Sequence, residues 1–232
     1  MIAPDLPGFG DSSARPEEGY DLESQVQRLR DFVSALGLER IHVVGNSMGG
    51  HLAAALLQRH PSLVRSLSLI DAAGVEPRAD TEFTSSLREG RNLLLTESAR
   101  DFRRLSAMMF VHPPWIPARV LDYLGRQASA RRDWNERVFS DYFGAFAELE
   151  HGPVPPRDVP ALIVWGREDR VLPVENVPVF AQLYPQAEVH VLEDTGHLPM
   201  LERPRALATH YRRFLDRLDA QRPAQLPISS SR

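Results

Sequence analysis

Residues 40–52 read RIHVVGNSMGGHL, and three kinds of residue follow one another along them. Ile41, Val43 and Val44 form a short β-branched run of the kind that suits a strand. Gly45, Asn46 and Ser47 break it with small, turn-forming residues. From Met48 the run MGGHLAAALLQRH is rich in helix formers until Pro61 stops it. The order is strand, tight turn, helix. The turn itself, GNSMG at 45–49, fits G-x-S-x-G, whose small residues let the chain reverse sharply and hold a serine hydroxyl in the open. The pattern alone is weak, because a chain of this length meets it by chance roughly one time in twelve. Its place between a strand and a helix separates it from a glycine-rich packing turn.

The flanking sequence repeats this alternation. Leu22, Val26, Leu29, Val33 and Leu36 recur at steps of four and three, a helical stripe with Asp21 placed as N-cap and Gly37 as stop. VRSLSLIDAAG (64–74), ALIVWG (161–166) and AEVHVLED (187–194) are further strand signals, each followed by turn residues. Apolar strands separated by helices indicate a mostly parallel sheet covered on both faces, an α/β class. Between Gly74 and Pro160 strand signals give way to short helical patterns, ESARDFRRLSAMMF (97–110) and ARVLDYLGRQASA (118–130). An inserted helical lid is the reading. Near the end Leu207, Tyr211, Phe214, Leu215 and Leu218 form another stripe, with Pro204 at its start. The expected organisation is a core in two parts, 1–74 and 161–219, a lid at 75–160, and a disordered tail at 220–232.

Composition narrows the partners. The 232 residues, 43% of them hydrophobic, suffice for a substantial core. A net charge of −4 and a pI near 6.1 give no broad basic surface for nucleic acid or an anionic membrane. Small molecules are the expected partners. With no cysteine there is neither disulfide nor thiolate metal site, which fits a reducing compartment and points to a cytoplasmic location. No run approaches the roughly 20 apolar residues needed for a transmembrane helix.

A serine of ordinary pKa is a poor nucleophile unless a base takes its proton and a carboxylate orients that base. WGREDRVLP places Asp169 just past the ALIVWG strand, and TGHLPMLERP places His197 past the AEVHVLED strand. In a parallel sheet such loops gather at one edge, where ligands bind. Ser47, Asp169 and His197 are therefore expected to converge. Glu168 and Asp71 are rival acids. His42 and His190 fall in strands and His60 and His210 on helices, where packed or surface histidines are the expectation. His51 follows the elbow glycines and is read as packing, with substrate contact as the alternative. Met108, Met109, Phe110 and Trp115, in MMFVHPPWIP, either line an acyl pocket or pack the lid on the core.

Four stretches together, DLPGFGDSS, GNSMGGHLAA, WGREDRVLP and TGHLPMLERP, resemble the motifs of lid-bearing α/β-hydrolases in the matching order over residues 1–219. The resemblance implies Ser47 as nucleophile, His197 as general base and then acid, Asp169 as its orienting acid and the Met48 amide as an oxyanion donor. It implies no metal and no organic cofactor. In this family the segment corresponding to MIAPDLPGFG follows earlier strands and an HG-type loop that supplies a second oxyanion amide. The chain therefore reads as N-terminally shortened, with the first strands missing and either a new strand pairing or an unpaired sheet edge.

Serine rather than aspartate at the elbow disfavours dehalogenase and epoxide-hydrolase chemistry. GNSMGGH, DAAGV and GHLPMLERP are most similar to monoacylglycerol-lipase-like esterases, which implies lipid or small ester substrates and peripheral membrane contact through the lid. The main rival is the meta-cleavage-product C–C hydrolase group, which tends to place tryptophan where Leu198 stands. A non-enzymatic reading also exists, a hydrolase-fold remnant that binds a partner.

Overall fold

The computed structural model describes residues 1–143, 148–156 and 158–220. In chain order the elements are α1 (Leu22–Ala35), β1 (Ile41–Ser47), α2 (Met48–Arg59), β2 (Val64–Ala72), α3 (Glu82–Arg88), α4 (Ala99–Met109), α5 (Ala118–Ala130), α6 (Arg132–Phe143), α7 (Glu148–His151), β3 (Ala161–Gly166), α8 (Val177–Leu183), β4 (Glu188–Leu192), α9 (Pro199–Glu202) and α10 (Pro204–Ala220). The expected tail lies outside the described residues beyond Ala220.

The ends of α1 follow from local chemistry. Asp21 accepts a hydrogen bond from the Ser24 amide at 3.0 Å, satisfying one of the orphan N–H groups of the first turn. Gly37 closes the helix at φ 66°, a conformation costly for residues with a Cβ.

The four strands are parallel and run in the order β1-β2-β3-β4. Successive side chains of a strand face opposite sides, so β3 feeds two cores. Ala161, Ile163 and Trp165 join the larger one with α1, α2 and α8 residues, whereas Leu162 and Val164 join the smaller one with Ile70, Leu192, Leu207 and Phe214. Trp165 is fully buried, and its indole N–H reaches the Leu172 carbonyl at 3.1 Å, so its burial strands no donor.

Residues 1–6 form no strand. The opening residues instead form a loop held from another direction. Asp5 accepts from the Asp11 amide at 2.9 Å, and the Gly8 carbonyl accepts from the Trp134 indole of α6 at 2.8 Å. Among the described residues β1 is consequently an edge strand, paired only with β2, and its Val44 stands 39% exposed.

Between β2 and β3 the described residues contain helices and no strand. α4 and α5 meet where a Cβ on Gly125 would lie 2.6 Å from the Ala99 Cα, so only glycine allows that approach. The segment is anchored to the core by the Tyr142 hydroxyl on His51 and by the Leu149 amide on the Gly74 carbonyl. Among the described residues no helix is long and apolar enough to cross a membrane.

Candidate active site

Ser47 ends β1 and caps α2 at φ 55° and ψ −123°, a backbone conformation that a non-glycine residue adopts only when its surroundings impose it. Two contacts do so. A Cβ on Gly45 would lie 2.0 Å from the Gly49 carbonyl oxygen, and one on Gly50 would lie 2.6 Å from the Ala72 Cβ. Gly49, the last glycine of the pattern, has open space around its missing side chain. Glycine at 50 was therefore the packing requirement that the pattern did not mark. Met48 is the first residue of α2, where the N–H groups have no acceptor within the helix and the dipole favours negative charge.

Asp169 and His197 come from the loops after β3 and β4, and both are buried. His197 Nδ1 lies 2.7 Å from Asp169 Oδ2. Asp169 Oδ1 accepts from the Val171 and Leu172 amides at 2.7 and 3.1 Å, so three donors converge on the carboxylate. An ionised acceptor at Nδ1 makes that nitrogen the N–H and leaves Nε2 as the free base. Glu168 points elsewhere: its carboxylate accepts from the Thr195 amide at 3.0 Å and so braces the histidine loop. Asp71, the other rival, accepts from the Gly166 amide at 2.7 Å and does not hydrogen-bond to the imidazole.

The elbow and the histidine loop are tied through Asn46. Its side-chain amide donates to the Ile70 and His197 carbonyls, both at 3.1 Å. On the other side the His197 amide donates to the Met109 carbonyl at 2.9 Å. Neither tie was read from the sequence. Ser47 and His197 are brought to the same sheet edge, but the Ser47 hydroxyl forms no hydrogen bond among the described residues. Catalytic contacts of unliganded enzymes often tighten only when substrate binds.

The remaining candidates divide. His51 is fully buried, its Nδ1 3.0 Å from the Tyr142 hydroxyl, and burial together with Arg59 pushes its pKa down to about 4. It packs the helical segment onto the core. Met108 and Phe110 are buried, and Met109 packs against the larger core, with its carbonyl on His197. Leu198 is half-buried and precedes α9. Trp115 departs from the pocket-lining expectation, because 88% of it is exposed and an apolar residue type carries no mark of which way it faces. His42 contacts the Ser66 hydroxyl at 2.7 Å, and the His190 and His210 rings stack 3.8 Å apart, so neither strand histidine belongs to the site.

Residues 1–210 match the model of the alpha/beta hydrolase family. Lipase 1 of Psychrobacter immobilis is 32% identical over 223 residues, 96% of this chain and 70% of that protein. Monoacylglycerol lipase ABHD6 of Bos taurus is 27% identical over 90% of this chain and 65% of its own length. The 2-hydroxymuconate semialdehyde hydrolase of Pseudomonas putida is 34% identical over 95% of this chain and 78% of that one. Among solved structures, a bacterial membrane phospholipase A superposes with a TM-score of 0.88 at 41% identity, covering 93% of this chain and 69% of that chain.

Proposed function

The chain belongs to the alpha/beta hydrolase family and is an ester hydrolase, and from that premise we propose that Ser47, His197 and Asp169 hydrolyse carboxylic esters through an acyl-enzyme. The observation that carries the reading is the buried 2.7 Å contact between Asp169 and His197, tied by Asn46 to the strained serine elbow. Ser47 Oγ attacks the ester carbonyl while His197 Nε2 takes its proton. The Met48 amide receives the oxyanion that forms, and His197 returns the proton to the leaving alcohol. Water then repeats the sequence on the acyl group. Asp169 keeps the imidazole in the required tautomer and offsets its transient positive charge.

The proposed substrates are monoacylglycerols and related lipid or small esters. Support comes from the lipase relatives and from the phospholipase structure, at the highest identity of the four. The second reading, cleavage of a C–C bond in a meta-cleavage product, is supported by the Pseudomonas hydrolase, while Leu198 stands against it. A panel of p-nitrophenyl esters of graded acyl length, run beside a 2-hydroxy-6-oxodienoate, separates the two. We expect kcat/KM for the best ester to exceed that for C–C cleavage at least tenfold; the reverse ranking would replace the ester reading.

We propose further that 75–160 is a lid whose outer face meets a lipid surface from the cytoplasmic side. Val120, Tyr123 and Leu124 are exposed at one helical spacing on α5, and Trp115 stands just before it. Arg119 and Arg126 flank Tyr123 and form no ion pair among the described residues, which suits anionic headgroups. Trp115 fluorescence should shift to the blue with phosphatidylglycerol vesicles, and Arg119→Glu with Arg126→Glu should abolish the shift. An unchanged spectrum would remove the membrane contact.

A further inference from the structure

Asp71 is a fully buried carboxyl group that the proposed mechanism does not use. It is the penultimate residue of β2 and lies in the left-handed region, at φ 43°, a strained conformation for an aspartate, with its side chain against residues that follow β3 and β4. One oxygen accepts from the Gly166 amide at 2.7 Å. The other, Oδ2, is buried with no partner if the group is an acceptor only. One oxygen of Asp71, one of Asp169 and one ring nitrogen of His197 all lie within 4.8 Å of one another.

Two carboxylates this close and this dry do not both ionise. The hydrogen bonds decide which one holds the charge. Asp169 receives three donors, two amides and the imidazole N–H, whereas Asp71 receives one. Negative charge is therefore better placed on Asp169, and the shared proton on Asp71. A proton on Oδ2 also resolves the orphaned atom, because that oxygen becomes an O–H donor, and an acceptor oxygen of Asp169 lies within 4.8 Å of the Asp71 carboxyl group.

We propose that Asp71 is a positioning residue, held as the neutral acid, whose Oδ2–H donates to Asp169 and fixes that carboxylate behind His197. The inference rests on the reading of Asp169 and His197 as a catalytic pair. Burial, first, and the neighbouring Asp169 carboxylate both raise the Asp71 carboxyl well above the usual range, and the Glu202 carboxylate adds to the effect. The Gly166 amide opposes them. Asp71 adds no second anion behind the imidazole; it supplies a fourth donor to the first one.

The test is Asp71→Asn, with the His197 ring titrated by NMR in the intact protein, a readout that needs no turnover. Asparagine keeps a carbonyl for Gly166 and an N–H for Asp169, so the His197 midpoint should stay where it is in the parent. If Asp71 were ionised, the same substitution would remove a negative charge beside the imidazole and lower that midpoint by about one unit or more, which would overturn the proposal. Asp71→Ala removes the donor altogether; ester kcat should fall about tenfold with KM unchanged, and full turnover would equally overturn it. Should the alanine variant fail to fold, the asparagine titration decides alone. Absence of esterase activity in the parent would count against the ester-hydrolase reading and leave the titration outcome interpretable.

Discussion

The side-chain amide of Asn46 donates to the main-chain oxygen of His197 at 3.1 Å, joining positions 151 residues apart. One residue away on the same strand is the serine whose backbone the elbow strains. The proposed nucleophile, at the end of β1, and the proposed base, in the loop after β4, are thus held in register by one amide. We expect Asn46→Ala to leave the Ile70 and His197 carbonyls short of a donor and to cost about 1–3 kcal/mol in stability. Turnover should fall about 10- to 100-fold, since small displacements of reacting groups are expensive. Thermal denaturation and steady-state ester kinetics measure the two effects separately.

Asp169 and Glu168 are neighbours with opposite assignments. Asp169→Asn removes the charge that selects the imidazole tautomer, and kcat should drop on the order of 10⁴-fold. Glu168→Gln retains an oxygen for the Thr195 amide and should cost less than about tenfold. The ratio of the two kcat values, at matched pH, checks the assignment.

The elbow glycines should differ in tolerance. Gly45→Ala forces a methyl group to within 2.0 Å of a backbone oxygen, so the strand-to-helix turn must open and the protein should lose about 3 kcal/mol or more. Gly49→Ala meets nothing within 4 Å and lies in α2, where alanine is better than glycine by about 0.5–1 kcal/mol. Chemical denaturation should show the first variant destabilised and the second equal to or above the parent.

His51 makes stability depend on acidity. Its folded pKa, about 4, lies below the ordinary histidine value of 6.5, so between these values the unfolded chain binds a proton that the folded one refuses. Its contribution is complete above pH 6.5, declines as pH falls toward 4 and changes no further below that, up to about 3 kcal/mol in all. His51→Phe should flatten this part of the curve. Urea unfolding at pH 7, 5.5 and 4.5, on parent and variant, reads the difference in slope.

The legible parts of the structure were those set by local chemistry. The stripe of α1, its Asp21 cap and its Gly37 stop all act within a few residues, and they appear where periodicity and capping place them. The strands β1 to β4 and the turns after them were legible for the same reason, and they bring Asp169 and His197 together. Choosing Asp169 over Glu168 by sequence leaned on family resemblance, because adjacent carboxylates differ only in which way they face. The Asn46 tie and the placement of Asp71 depend on neighbours contributed by distant strands, and no local pattern marks them. Trp115 shows the converse: its chemistry suits a pocket or an interface equally, and only the packing of the segment before α5 turns it outward.

The proposed hydrolysis depends on the reactivity of the Ser47 hydroxyl. A fluorophosphonate probe reports on it directly, since it bonds covalently only to a serine activated by its surroundings. With the folded parent protein we expect one adduct, located at Ser47 by mass spectrometry. Ser47→Ala should form none, and His197→Ala should react at least 100-fold more slowly. A folded parent that takes up no probe, or a Ser47→Ala variant labelled as fast as the parent, would contradict the proposed catalytic site.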